Sequence, residues 1–215
     1  MKKAFLIIYA LLLGFLAMAQ PRTYIIKPYD AVLDEDLYVV EQPGGSLEYH
    51  LGVYNFEHVE DSVHLVMTRR ECELMYEALR KIRSKYNEWT IVARRNKVRN
   101  YTRQFDVEMP LMSYEWREAY TAYNSLAGRS GYKPVCRADS QRLPAPEFVV
   151  TDDGRCIIEF RTTLTKDDAR YDLRFIIPAD SRLCSFMKHC DIRWVDKQYE
   201  KLQPKSKEYY DSLFK

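Results

Sequence analysis

Between Thr68 and Arg99 the chain repeats large apolar residues at intervals of three and four: Met75, Leu79, Ile82, Tyr86, Trp89 and Ala93. At 3.6 residues per turn these fall in one continuous stripe along a helix, and the stripe needs a packed partner. Thr68 stands three residues before Glu71, the spacing at which a threonine hydroxyl and a glutamate close a capping box on the first turn. The longest helix of the protein therefore starts after Thr68 and runs over about 69–99.

The opposite side of the same segment is basic. Residues 80–103, RKIRSKYNEWTIVARRNKVRNYTR, hold nine bases against one acid, Glu88. Arg80, Arg83, Arg94 and Arg95 point well away from the apolar stripe, with Lys81 and Arg99 to one flank. Charge opposite an apolar stripe is the solvated side of an ordinary amphipathic helix. As a functional surface, these four arginines would form an anion-binding face for an acidic partner, an anionic polysaccharide or the phosphates of envelope lipids.

Around this helix the pattern alternates between periods. Arg22 to Lys27, Leu37 to Glu41, Leu47 to Tyr54 and Val63 to Met67 are β-branched and aromatic, separated by turn material, and read as strands. In Leu47 to Tyr54, Leu47, Tyr49, Leu51 and Val53 alternate with Glu48, His50 and Gly52, the period of a half-buried strand. Gln104 to Met109 reads as a short strand ended by Pro110. Ser113 is placed to cap a second helix over about 114–127, where Trp116, Ala119, Tyr120, Tyr123 and Leu126 follow helical spacing and Gly128 provides the stop. Residues 129–147, punctuated by Gly131, Pro134, Pro144 and Pro146, read as a long loop with one strand near Lys133 to Arg137. Asp153-Gly154 between two β-rich runs marks a hairpin, and Tyr171 to Ile177 adds a third strand to a meander. From Ala179 a helix runs to about Leu202, and Pro204 separates a last short helix ending near Phe214.

These elements amount to an α+β fold: one or two antiparallel sheets packed against two main amphipathic helices. A chain of this length fits one domain over 20–215. Strand, turn and helix recur in the same order in VHLVMTRRECELMYEALRKI and LRFIIPADSRLCSFMKHCDI, which suggests two related halves, about 20–110 and 130–215.

The N-terminus reads as an address. Lys2 and Lys3, an apolar run from Ala4 to Phe15, and Ala17-Met18-Ala19 form a secretory signal peptide with cleavage between Ala19 and Gln20. The run is shorter than the roughly 20 residues a membrane span needs, and nothing after Gln20 is apolar enough to span one. No Cys follows the cleavage site, so the expected product is an exported periplasmic or extracellular protein, not a lipoprotein. The leader takes Lys2 and Lys3 from the 33 bases and no acid, which leaves 31 bases against 31 acids. A neutral molecule lacks the overall basic excess of a nucleic-acid binder. Cys72, Cys136, Cys156, Cys184 and Cys190 are an odd set, expected mostly as buried apolar residues. Cys184 and Cys190, six apart in a predicted helix, face directions about 120° apart.

Lys85-Tyr86-Asn87-Glu88-Trp89 followed by Ala93-Arg94-Arg95-Asn96-Lys97-Val98 resembles a segment of uncharacterised exported proteins of Bacteroides-type bacteria, in which K-Y-x-E-W precedes A-K-x-N-x-V. The leader ending Ala-Met-Ala before Gln20 is similar to leaders of that group. Asp61-Ser62-Val63 and Asp211-Ser212-Leu213 look like its short O-glycosylation acceptor pattern. The resemblance covers about a tenth of the chain and implies an exported destination. It includes no catalytic motif.

The sequence contains no H-E-x-x-H, no C-x-x-C, no phosphate-binding loop and no dinucleotide fingerprint, so no catalytic residue, metal or cofactor is assigned. His50 and His64 fall where they can neighbour across adjacent strands. Gly128-Arg129-Ser130-Gly131 lacks the strand-to-helix setting of a nucleophile elbow. The expected function is a non-enzymatic binding or structural module of the cell envelope with a protein or glycan partner. The alternatives are a hydrolase with its site near the 129–147 loop and a polyanion binder using Arg80, Arg83, Arg94 and Arg95.

Overall fold

Thr68 starts the long helix as its spacing predicts. Its Oγ1 accepts from the Glu71 backbone N–H at 3.3 Å, and the Glu71 carboxylate accepts from the Thr68 N–H at 2.6 Å. The helix then buries Cys72, Met75, Ala78, Leu79, Ile82, Tyr86, Thr90 and Ala93. It ends at Arg95, short of residue 99, because Asn96 caps it and Lys97 and Asn100 take positive φ angles of 51° and 49°.

The computed structural model describes residues 20–30, 35–57, 61–122, 129–166 and 169–204. The expected signal peptide and the helix expected near Phe214 lie outside them. In chain order, β1 (Arg22–Asp30), β2 (Glu35–Glu41), β3 (Leu47–Tyr54) and β4 (Asp61–Met67) lead into α1 (Arg69–Arg95). Then come β5 (Tyr101–Gln104), β6 (Leu111–Ala122), β7 (Arg129–Arg142), β8 (Glu147–Val150), β9 (Cys156–Lys166) and β10 (Ala169–Ile177). Two helices follow, α2 (Asp180–Cys190) and α3 (Ile192–Leu202). The fold is α+β. One sheet has six strands in the order β1-β2-β3-β4-β6-β7 and the other four, β10-β9-β8-β5, with every pair antiparallel.

α1 packs on β3 and β4 of the larger sheet and on β9 of the smaller, and one cluster of buried side chains runs through both sheets and all three helices. Tyr86, halfway along α1, donates its phenol to the Cys156 carbonyl at 2.8 Å. Asn55 ties the sheets on another side. Fully buried, it donates to the Asp172 carbonyl at 3.1 Å and accepts from the Arg174 N–H at 3.0 Å, while Phe56 N–H donates to the Arg174 carbonyl at 2.8 Å. These bonds occupy the outer edge of β10 at Asp172 and Arg174, where it would otherwise be open to foreign strands.

Several expectations change. As far as Ala122, the helix expected over 114–127 is β6 instead; Tyr123, Leu126 and Gly128 lie outside the described residues. Met112, Tyr114 and Trp116 are buried and alternate with Ser113, Glu115 and Arg117, and Tyr114 and Trp116 stand opposite Leu65 and Val63 of β4. Ser113 is thus a strand residue, not a cap. The loop expected over 129–147 is mostly β7, and Cys136 stands on it opposite Trp116. Pro134 is tolerated because β7 is an edge strand and the register slips beside it. The strand expected at Gln104 to Met109 lies earlier, at Tyr101–Gln104. The helix expected to run unbroken to Leu202 divides at Asp191, whose extended backbone ends α2 and whose carboxylate accepts from Arg193 N–H to start α3. The hairpin stands as expected: Gly154 has φ 84°, and the Arg99 guanidinium occupies the space a Cβ there would take. Cys72, Cys156 and Cys190 are buried, and Cys184 is partly buried.

Candidate functional site

The side of the six-stranded sheet that faces away from α1 is built from the polar half of each alternation. It presents Asp36, Tyr38 and Val40 from β2, Glu48, His50 and Gly52 from β3, His64 from β4, Glu115 and Arg117 from β6, and Arg137 from β7. The register sets Tyr38 opposite His50, Gly52 opposite His64, His64 opposite Glu115 and Glu115 opposite Arg137. On a flat sheet this side would be wet. Here Tyr38, His50 and His64 are 7%, 3% and 1% exposed.

Curvature is the reason. Arg137 on β7 grips Glu48 on β3 through two nitrogens at 2.8 and 3.3 Å, although β4 and β6 lie between those strands. Such a reach requires the sheet to curl so that this side is concave. β1, bent by two register slips, brings Thr23, Ile25 and Lys27 to the rim. The result is a recess of about 610 Å³ with Tyr38 and His50 in its wall, a volume in the range of small-molecule sites.

Two carboxylate–imidazole pairs flank the Tyr38 ring. Asp36 Oδ1 stands 3.0 Å from His64 Nε2, and Glu48 Oε2 stands 3.4 Å from His50 Nε2. The His50 ring stacks on Tyr38 with centroids 4.8 Å apart, the His64 ring is tilted at 5.1 Å, and the Arg117 guanidinium lies 5.0 Å from the Tyr38 centroid. Asp36 reaches His64 only because β3 has no side chain at Gly52; a Cβ there would lie 1.8 Å from Asp36 Oδ1.

The charges cancel locally. Glu48 also accepts from Gln42 at 2.8 Å, and its Arg137 bonds hold the carboxyl below the usual glutamate range. Arg117 donates to Glu115 at 2.5 Å. Burial depresses His50 to about 4 and pushes the Tyr38 phenol well above its ordinary value, so both are neutral at neutral pH. Because a carboxylate only accepts, the neutral His50 ring turns Nε2–H toward Glu48, which leaves a bare lone pair on its Nδ1. Tyr38 Oη, His50 Nδ1 and His64 Nδ1 are buried with no hydrogen-bond partner among the described residues. Tyr38 Oη and His50 Nδ1 lie on stacked rings and are closed to water; a hydroxyl, which both accepts and donates, suits such a donor and acceptor once the rings part to admit it. Among the described residues no cluster of His, Cys, Asp and Glu is arranged to hold a metal ion.

The four arginines singled out on α1 do not converge. Arg83 makes two bonds to Asp180, at 2.7 and 3.0 Å, joining α1 to the first turn of α2. These bonds raise the arginine's pKa and lower the aspartate's. Arg80 bonds Glu77 of its own helix at 3.0 Å. Arg94 and Arg95 are exposed in the last turn, where positive charge complements the helix dipole. Gln20, on the expected cleavage bond, is exposed, and Ala19 lies outside the described residues. From the 129–147 segment the recess takes Arg137.

Of the recess residues, only the His50–His64 neighbourhood was visible in the sequence. Gly52 within an alternating strand was the other available sign, since a strand glycine marks a close approach. No protein-family model, curated protein or solved structure matches the chain.

Proposed function

We propose that the chain is an exported, non-enzymatic binding module of the cell envelope, and that the recess over Tyr38 holds a small neutral ligand bearing hydroxyl groups. The observation that carries this reading is that two residues lining the recess, Tyr38 and His50, each bury a polar atom, Oη and Nδ1, with no hydrogen-bond partner among the described residues. Buried polar atoms are rarely left without partners, and those beside an open recess are where a ligand gains most from hydrogen bonding. Pairing of Glu48 with Arg137 and of Glu115 with Arg117 leaves little net charge to attract an ion. Export rests on the leader and on the resemblance of the Lys85–Val98 segment.

Thermal unfolding against panels of neutral sugars and polyols, acidic sugars and amines tests the reading. A neutral hydroxyl-bearing compound should stabilise the protein, and Thr23→Trp, which fills the recess from its rim, should abolish the effect. Stabilisation by none of the neutral compounds, or equal stabilisation of the filled variant, contradicts it. Chromogenic esters and glycosides test the hydrolase alternative, with turnover as its required result. Salt-sensitive retention on a heparin-type resin, lost in Arg94→Ala/Arg95→Ala, is what the polyanion alternative requires.

A further inference from the structure

β5 is the outermost strand of the four-stranded sheet. It pairs with β8 on one side, and no described strand pairs along the other. All four of its residues are exposed. An outer edge of this kind offers unpaired N–H and C=O groups to an incoming strand.

Beside that edge lies a socket. Trp89 and Val92 of α1, Val98, Tyr101 of β5 and Phe148 of β8 line an apolar cavity of about 200 Å³, on the scale of one large apolar side chain. Its rim is open: Val92 is 52% and Tyr101 44% exposed. Trp89 is stacked on Phe105 with centroids 5.0 Å apart and has the Arg103 guanidinium 4.6 Å from its ring centroid. On its other side a second opening of about 560 Å³ continues along Lys81, Lys85 and Phe105.

The surroundings are basic. From Arg94 to Arg103 the chain has five bases, Arg94, Arg95, Lys97, Arg99 and Arg103, and no acid. Of the nearby acids, Glu88 is engaged by Lys85 and Asp153 by Arg155, Asp106 lines the second opening, and Glu147, opposite Gln104, alternates to the other side of the sheet from Arg103 and Phe148.

We propose that this face docks an extended acidic segment of a protein partner, added as a further strand along β5 with one large apolar side chain in the socket beside Trp89. An added strand turns every second side chain to the same side. An apolar anchor flanked two residues away by acids would therefore fit the socket and meet Arg103 and its neighbours. A second copy of this chain is a poor occupant, because pairing β5 with itself brings like charges together. The surface is separate from the recess and stands independently of it.

Fluorescence anisotropy with short labelled peptides tests the proposal. The probe alternates acidic and β-branched residues around a central phenylalanine. One control replaces the acids with lysines, and another carries N-methyl groups on the amides of one strand edge. The acidic probe should bind saturably, Arg103→Glu and the socket-filling Val92→Trp should each weaken it at least about tenfold, and both controls should fail. Both positions are exposed, and circular dichroism checks that the variants fold. No saturable binding of the acidic probe overturns the proposal. So does equal binding of the lysine or N-methylated peptide, and so does self-association of the chain that Val92→Trp abolishes.

Discussion

Asp36 reaches His64 through the space that a side chain at position 52 would fill: its Oδ1 lies 3.0 Å from His64 Nε2, and 1.8 Å from where a Cβ on Gly52 would stand. Gly52→Ala must displace the carboxylate and break this bond. It should destabilise the protein by about 1–3 kcal/mol in urea unfolding, the range for a buried partner left unsatisfied. Asp36→Ala removes the same bond from the other side, so the double variant should cost clearly less than the two single effects combined. Strict additivity would mean that Gly52 serves some other contact.

His50 makes stability depend on pH with a definite sign. Its folded value, about 4, lies below the ordinary 6.5, so between these values the unfolded chain binds the extra proton. The contribution is fully present above about pH 6.5 and is lost as pH falls through 4, amounting to about 3 kcal/mol. Urea midpoints measured across this window should fall on acidification, and His50→Gln should flatten the fall. The arginine-held Glu48 and Asp180 carboxyls titrate below the ordinary carboxylate range, so their contributions begin to fall at the ordinary carboxylate values, at the lower end of the His50 window, and go on falling below it.

Two polar ties should differ in weight. Asn55 is fully buried with bonds to both Asp172 and Arg174, so Asn55→Ala should cost about 2–4 kcal/mol. The Arg83–Asp180 pair has side chains 41% and 39% exposed, and solvent screening holds Arg83→Ala to about 1 kcal/mol or less. Chemical denaturation of both variants ranks them, and the reverse order would contradict the burial assignments.

The stripe on α1 makes a sharper contrast. Ile82→Ala opens a hole in the core and should cost about 2–5 kcal/mol, whereas Arg80→Ala, on the exposed side, should stay within about 0.5 kcal/mol. Similar losses at both positions would mean that the basic side is packed rather than solvated.

α1 was legible because its signals are local: Thr68 and Glu71 close the cap, and the stripe from Met75 to Ala93 repeats over about five turns of one helix. β6 was not, because Trp116, Ala119 and Tyr120 fit spacings of three and four while Met112, Tyr114 and Trp116 fit a spacing of two. Only pairing with β4, some fifty residues earlier, decides between them. Gly131 and Pro134 likewise disguised β7, since an edge strand accepts residues that a central one rejects. The recess was hidden for a related reason. Glu48, His50 and Gly52 occupy the half of an alternating strand that ordinarily meets water, and the curl that brings Arg137 onto Glu48 depends on strands far apart in the chain.

The proposed site depends most on Tyr38 and His50, in the wall of the recess, being a neutral donor and acceptor without partners among the described residues. Long-range proton–nitrogen NMR of the histidine rings measures this directly. At neutral pH His50 should show an uncharged ring protonated on Nε2, and its Nδ1 resonance should move when a stabilising hydroxyl-bearing compound is added. A protonated His50 at neutral pH, or a ligand that leaves Nδ1 unmoved while shifting signals elsewhere, would contradict the assignment of the site.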